Sequence, residues 1–137
     1  MINSTENPVI RVSDVMKNEF DTIEGMDTIE TALKKMNHVQ NKSLIVNKRH
    51  ADDEYGVLLI SYIARKVLAA NKAPDRVNVY EVMAKPVISV HSNMDVRYCA
   101  RLFDRFDISR APVVGDGKVI GIVSFTDLVL KGLNIQD

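Results

Sequence analysis

The sequence says most of its content twice. Val12-Ser-Asp-Val-Met16 returns as Val79-Tyr-Glu-Val-Met83, a shift of 67 positions. The same shift places Thr22-Ile23 on Ser89-Val90, sets Ile29, Ala32 and Met36 on Val96, Cys99 and Phe103, and lays Ile45-Val46 on Pro112-Val113. Beyond that the shift falls to 65, with Gly56-Val57-Leu58 on Gly121-Ile122-Val123. The first copy therefore carries two extra residues, in the polar stretch Asn47 to Glu54, where a loop tip tolerates insertion. An internal repeat of this kind marks one supersecondary unit made twice, and it constrains the fold more than any composition does.

Each copy opens on a short helical turn ending at Met16 or Met83 and runs into a strand, Phe20 to Ile23 or Val87 to Val90. A helix follows. Ile29, Ala32, Leu33 and Met36 recur at i, i+3, i+4 and i+7, as do Val96, Cys99, Ala100 and Phe103, while Arg97, Arg101 and Arg105 line another face of the second helix. Asp27 with Glu30 three residues on predicts a capping box for the first. Two strands come next, Ser43 to Asn47 and Gly56 to Ile60, or Ala111 to Val114 and Val119 to Val123. In the second copy they are joined by Gly115-Asp-Gly-Lys118, a strong hairpin signal. A final helix closes each copy, Ser61 to Asn71 or Thr126 to Gly132.

The unit is β-α-β-β-α with a helical lead-in, about 60 residues long and marginal by itself. The expected fold is α+β: two tandem repeats, 9–73 and 74–134, packed sheet to sheet with pseudo-twofold symmetry.

Composition excludes several function classes. Eighteen basic residues balance eighteen acidic ones, so no global field draws the chain to nucleic acid or an anionic membrane. A single cysteine, Cys99, permits no intramolecular disulfide and fits a reducing, cytoplasmic setting. The polar start, Met1 to Pro8, lacks the apolar stretch of a signal peptide, and apolar runs such as Val57 to Ile60 are too short to span a bilayer. His38, His50 and His91 show no metal-ligand spacing. Cys99 sits on an apolar helix face and reads as a buried small hydrophobe. The mixed-sign stretch Lys48-Arg49-His50 beside Asp52-Asp53-Glu54 reads as a solvated loop tip. No phosphate-binding Gly-x-x-x-x-Gly-Lys loop supports ATP hydrolysis, and no nucleophile–base pair supports an enzyme.

The stretch Gly121-Ile-Val-Ser124-Phe-Thr126-Asp127-Leu, entering a helix from a buried strand, resembles the end of a CBS domain, the module named after cystathionine β-synthase. The lead-ins ending in Val-Met, the Arg110-Ala-Pro-Val-Val strand and the Asp-Gly hairpin add to the resemblance, which runs from about Val9 to Gly132. It implies a stand-alone CBS pair that binds an adenosine-containing nucleotide (AMP, ADP or ATP, with S-adenosylmethionine less favoured) in the cleft between repeats and signals by conformational change. It also implies a homodimer through the helices and an effector protein of unknown identity. By the family's motif, Asp127 accepts from the ribose hydroxyls, Ser124 and Thr126 lie near phosphate or ribose, and Arg110 meets phosphate. Lys85, Val87 and Ile88 lie against adenine, with Pro112 and Ile122 as apolar walls.

Residue chemistry is compatible with these roles. A helix N-terminus and an arginine fork suit an anion, and a carboxylate suits two sugar hydroxyls. The competing reading of Ser124-x-x-Asp127 is a helix-capping box, and of Arg110 a solvated surface side chain. The first copy departs from the motif, with Leu59, Ser61 and Tyr62 at the positions of Ser124, Thr126 and Asp127, and Ser43 at that of Arg110. One competent site per chain is expected, in the second copy, with Arg65 and Lys66 as candidates to complete its phosphate end. Tyr62 either stacks on a base or packs the interface. The alternative function is a structural or interaction module that binds no nucleotide.

Overall fold

The computed structural model describes residues 9–133. In chain order the elements are α1 (Val12–Val15), β1 (Thr22–Ile23), α2 (Ile29–Lys35), β2 (Ser43–Val46), β3 (Gly56–Leu59), α3 (Ile60–Ile63), β4 (Val90–His91), α4 (Val96–Phe106), β5 (Arg110–Gly115), β6 (Lys118–Ser124) and α5 (Phe125–Gly132). Short 3-10 turns at Val39–Asn41, Pro74–Arg76 and Val79–Glu81 punctuate them. The strands form two three-stranded sheets, β1-β2-β3 and β4-β5-β6, each with one parallel and one antiparallel pairing. The fold is α+β, as the repeat predicts.

The chain divides into two compact units, and they do not follow the boundary of the written repeat. One is continuous, Glu19–Val87; the other joins, among the described residues, 9–18 to 88–133. The expected limits 9–73 and 74–134 are therefore not the limits of packing. The reason lies in the lead-ins. In the discontinuous unit α1 docks on the second copy: Val12 N–H donates to Met94 O (2.8 Å), Ser13 N–H to Ser92 O (3.0 Å), and Val12 and Val15 join the apolar cluster around Phe103, Val113 and Val123. In the continuous unit the second lead-in docks on the first copy, with Val79 N–H donating to Asp27 O (2.8 Å), Tyr80 N–H to Gly25 O (2.9 Å), and Val79 and Val82 in the cluster with Ile29, Leu44 and Leu58. Both lead-ins carry the same Val-x-x-Val-Met pattern, and each lies on the sheet of the other copy.

Alternation along the strands sorts the side chains. Leu44, Val46 and Leu58 face the cluster of the continuous unit, while Ile45 and Val57 form a cross-strand pair on the opposite face. Ala111, Val113 and Val123 do the same in the discontinuous unit, and Pro112 pairs with Ile122 behind them. The β5–β6 hairpin turns at Asp116 (φ 52°) and Gly117 (φ 76°), the two left-handed positions that an Asp-Gly type I′ turn requires.

Helix ends refine three expectations. The cap of α2 is Thr28, whose hydroxyl accepts from Thr31 N–H at 3.1 Å, and not Asp27. Asp27 belongs to the preceding turn, its carboxylate 3.4 Å from Glu24 N. Ile29 and Ala32 of α2 are buried as expected, but Leu33 is 41% exposed, because the helix is only seven residues long and turns that side to solvent. The closing helix of the first copy begins as α3 and relaxes into a π turn over Ala64–Leu68, with Ala69 N–H bonded to Ala64 O. The helix ends at Leu68, with turn residues running on to the expected limit, Asn71. That residue is left-handed (φ 56°), with Lys72 N–H returning to Val67 O and Asn71 N–H to Leu68 O in a Schellman closure. Asp107 (φ 54°) closes α4 in the same manner.

Candidate functional site

Strand register and a helix start bring the second-copy residues together. Arg110 opens β5 directly opposite Ser124, the last residue of β6. Ser124 is also the N-cap of α5, which places Asp127 at the third helical position. The capping box is complete. Asp127 N–H donates to Ser124 Oγ (3.3 Å), while Asp127 Oδ2 accepts from Ser124 N–H and from its hydroxyl, both at 3.0 Å. Asp127 is 4% exposed. The capping reading of Ser124-x-x-Asp127 is thus correct as local structure. Phe125 N–H donates to Ser109 O at 2.9 Å, so part of the donor capacity at this helix start is already engaged.

The other carboxylate oxygen has a partner that sequence reasoning missed. Lys17 Nζ lies 2.6 Å from Asp127 Oδ1. Lys17 follows Met16 at the end of the first lead-in, and its backbone forms a two-way bridge with Ile122, N to O at 2.8 Å and O to N at 2.9 Å. Gly121 makes this approach possible. A Cβ there would stand 2.6 Å from Lys17 O and 2.7 Å from Met16 Sδ. The one hint in the sequence was the pair of glycines, Gly56 and Gly121, at matching strand positions. Gly56 likewise lies under Ala84 O and Met83 Sδ, where Ala84 bridges Val57.

The remaining candidates divide between the units. Arg110 is half-buried, with Nη2 3.3 Å from Ser109 Oγ, and burial holds its pKa below the usual arginine value. Thr126 is exposed on the first turn of α5, and Pro112 and Ile122 form the buried cross-strand pair beside Arg110 and Ser124. Ile88 is 37% exposed in the same unit. Lys85 and Val87 belong to the continuous unit. Lys85 Nζ is 2.8 Å from the Asp53 carboxylate, and Val87 N–H donates to Tyr55 O at 3.1 Å.

A family model described as the CBS domain matches residues 79–133. A hexameric CBS-CP12 protein from bloom-forming cyanobacteria is 37% identical with a TM-score of 0.84, over 90% of this chain and 71% of that one. The chain belongs to the CBS-domain family. An uncharacterized protein of Methanopyrus kandleri is 32% identical over 122 residues, 88% of this chain and 61% of that protein. The chain spans less than two thirds of the length of the first curated relatives it matches. A second CBS structure, a domain pair solved in complex with 5′-methylthioadenosine and S-adenosyl-L-methionine, is 28% identical with a TM-score of 0.72, over 88% of this chain and 94% of that one.

In this CBS chain the first copy lacks the same turn. Leu59 caps α3 with no side-chain hydrogen bond, and Tyr62 packs partly buried on the core of the continuous unit, with Arg65 and Lys66 each 5.7 Å from its ring centroid. Tyr62 is thus a core-packing side chain of its own unit rather than the interface residue the sequence reading expects. Cys99 is fully buried and its thiol is pushed up to about 11 by desolvation, the state of an inert core residue. Among the described residues no helix is long and apolar enough to cross a membrane, and no group of three potential ligands gathers for a metal ion.

Proposed function

We propose that this CBS chain is a regulatory module that binds an adenosine-containing ligand at the Ser124–Asp127 turn of its second copy. The observation that carries the proposal is the state of Asp127. Its carboxylate is buried and fixed by Ser124 through Oδ2, while Oδ1 is held by one flexible lysine from a different segment. A carboxylate oxygen accepts about two hydrogen bonds, so Oδ1 keeps capacity for a sugar hydroxyl and gains more when Lys17 swings aside. Lys17, whose side chain is 38% exposed, has room to do so. Two cations flank the turn, Lys17 against Asp127 and Arg110 across from Ser124. They favour ligands bearing phosphate, AMP, ADP or ATP, over the cationic S-adenosylmethionine. The adenosine compounds bound by the related domain pair support the ligand class.

Such a ligand acts only through differential affinity for two states of the protein. Self-association of the module is part of the proposal. α4 and α5 pack together and leave Tyr98, Phe106, Leu130 and Leu133 between 42% and 64% exposed, an apolar surface suited to a second copy. A specific observation also favours a second reading, an interaction module without nucleotide. The capping box and ion pair already satisfy Asp127 as a structural group.

Calorimetric titration with AMP, ADP, ATP and S-adenosylmethionine, on wild type and Asp127→Ala, separates the two. Saturable binding of one equivalent per chain, lost in the variant, is the expected result. Absence of binding by all four up to high micromolar concentration leaves the interaction reading.

A further inference from the structure

The first copy lacks the Ser-x-x-Asp turn, but its hairpin loop is two residues longer and carries side chains that the second copy's Asp-Gly turn does not. In the continuous unit, at the end of the sheet where β2 runs into that loop, lies a cavity of about 430 Å³. This is within the range of small-molecule sites, roughly 300–1,000 Å³. Val46 and Met83 form its apolar floor, with Tyr80 and Met26, 51% and 71% exposed, at its edge. Arg49 and Lys85 also line it.

Their arrangement is specific. Both cations are tied to one carboxylate, Asp53, with Arg49 Nε at 3.2 Å and Lys85 Nζ at 2.8 Å. Asp53 itself is not part of the cavity lining, and its side chain is only 8% exposed. The Lys85 ammonium and the Arg49 backbone N–H hold its carboxyl well below the usual range, so it stays charged. Two cations thus share one counter-ion that fixes them from outside the cavity. A lysine has three donors and an arginine five, so donors remain after the Asp53 bonds are made. Most of the Lys48–Glu54 stretch is exposed, as the solvated-tip reading expects, but Asp53 within it is tied to Lys85. Arg49 and Asp53 both lie in the stretch that carries the two extra residues of the first copy. At the 67-residue shift Tyr80 and Lys85 correspond to Ser13 and Asn18, and the second copy's tight Asp-Gly turn has no room for an Arg49 or an Asp53. The cavity chemistry is private to one copy.

We infer that this cavity is a second ligand site, for a small anion with an aromatic body such as an aryl carboxylate or aryl sulfonate. The ring lies on the methionine and tyrosine surfaces and the anionic group meets Arg49 and Lys85. The site uses neither Ser124 nor Asp127; Lys85, which the family resemblance sets against adenine, is the residue common to both readings, and Met26 belongs to this cavity alone.

The test is a fluorescence titration of the whole chain with 8-anilinonaphthalene-1-sulfonate, beside its uncharged analogue N-phenyl-1-naphthylamine. Wild type is expected to bind one sulfonate saturably, with the neutral analogue weaker by about tenfold or more, the loss expected for one charge-assisted contact. Lys85→Gln and Met26→Glu are each expected to weaken sulfonate binding by about tenfold or more. Lys118→Gln, the same loss of charge at the exposed β5–β6 turn, leaves it unchanged. Met26→Glu keeps the test decisive if Lys85→Gln disturbs the loop, because Met26 is exposed and its replacement disrupts no core packing. Equal affinity for the charged and neutral probes, or wild-type binding by Met26→Glu at an unchanged unfolding midpoint, overturns the assignment.

Discussion

Lys17 and Asp127 stand 110 positions apart in sequence and 2.6 Å apart in the fold, and their ion pair locks the end of the first lead-in to the first turn of the last helix. The two partners are unequally buried, with side chains 38% and 5% exposed, so the pair is no ordinary surface bridge. Removing either one has a different meaning. Asp127→Ala removes the carboxylate half of the capping box and a charge-assisted bond, for a loss of about 2–3 kcal/mol. Lys17→Ala leaves a buried carboxylate still held by Ser124 and costs about 1–2 kcal/mol. In urea unfolding the double variant is expected to lose less than the sum of the two, and strict additivity contradicts the pairing.

Two glycines offer a sharper contrast. Gly121→Ala drives a methyl group into Lys17 O and Met16 Sδ, both closer than 3 Å, and is expected to cost about 3 kcal/mol by forcing the lead-in off β6. Gly117→Ala meets nothing within 4 Å, and its only cost is the left-handed φ of 76°, about 1 kcal/mol. Thermal unfolding of the two variants side by side checks the ranking.

The α2 cap supplies a third test. Thr28→Ala removes the hydroxyl that accepts from Thr31 N–H and is expected to lower stability by about 1 kcal/mol. Asp27→Ala, which deletes only a long 3.4 Å contact to Glu24 N, is expected to change it by less than about 0.5 kcal/mol. Equal losses restore Asp27 as the cap.

Titration has a definite sign at two positions. Asp95 caps α4 and is lowered from 3.8 to about 2, chiefly by the Arg97 guanidinium and then by the Arg97 N–H. A depressed folded pKa gives stability that is present above the unfolded value and lost as pH falls from about 4 towards 2. Asp95→Asn is expected to flatten that part of the acid unfolding curve. Cys99 behaves oppositely. Its raised value, from 9.0 to about 11, means stability is lost as pH climbs through that interval, and at pH 8 the thiol is expected to resist iodoacetamide until the protein is unfolded.

The repeat, both hairpins and the helices of each copy were legible in sequence because they are written as local periodicities and turn residues. Arg110, Ser124 and Asp127 were legible as a group because strand register and a helix start carry them. Lys17 was not, since a contact across 110 positions leaves no periodic trace. Lys85 and Val87 were assigned to the site from the family resemblance, which sets adenine against the first strand of the copy and its lead-in. The exchange of two nearly identical lead-ins, which no pattern distinguishes from the unexchanged arrangement, sets them in the unit of the first. The sequence reading set the cap at Asp27 because Glu30 three residues on completes a box pattern, and only the turn geometry moves the cap to Thr28.

That exchange also orders events in time. Glu19–Val87 is contiguous, so everything needed to close the continuous unit has left the ribosome once residue 87 has emerged. The other unit cannot finish until the chain from Ile88 to α5 has been made, and Val12 and Val15 wait through that interval without the cluster they fill. Its defining contacts join opposite ends of the chain, the slow kind to form. A cut between 73 and 74 would not release two folding halves. It would strip Val77, Val79 and Val82 from one core and Val12 and Val15 from the other.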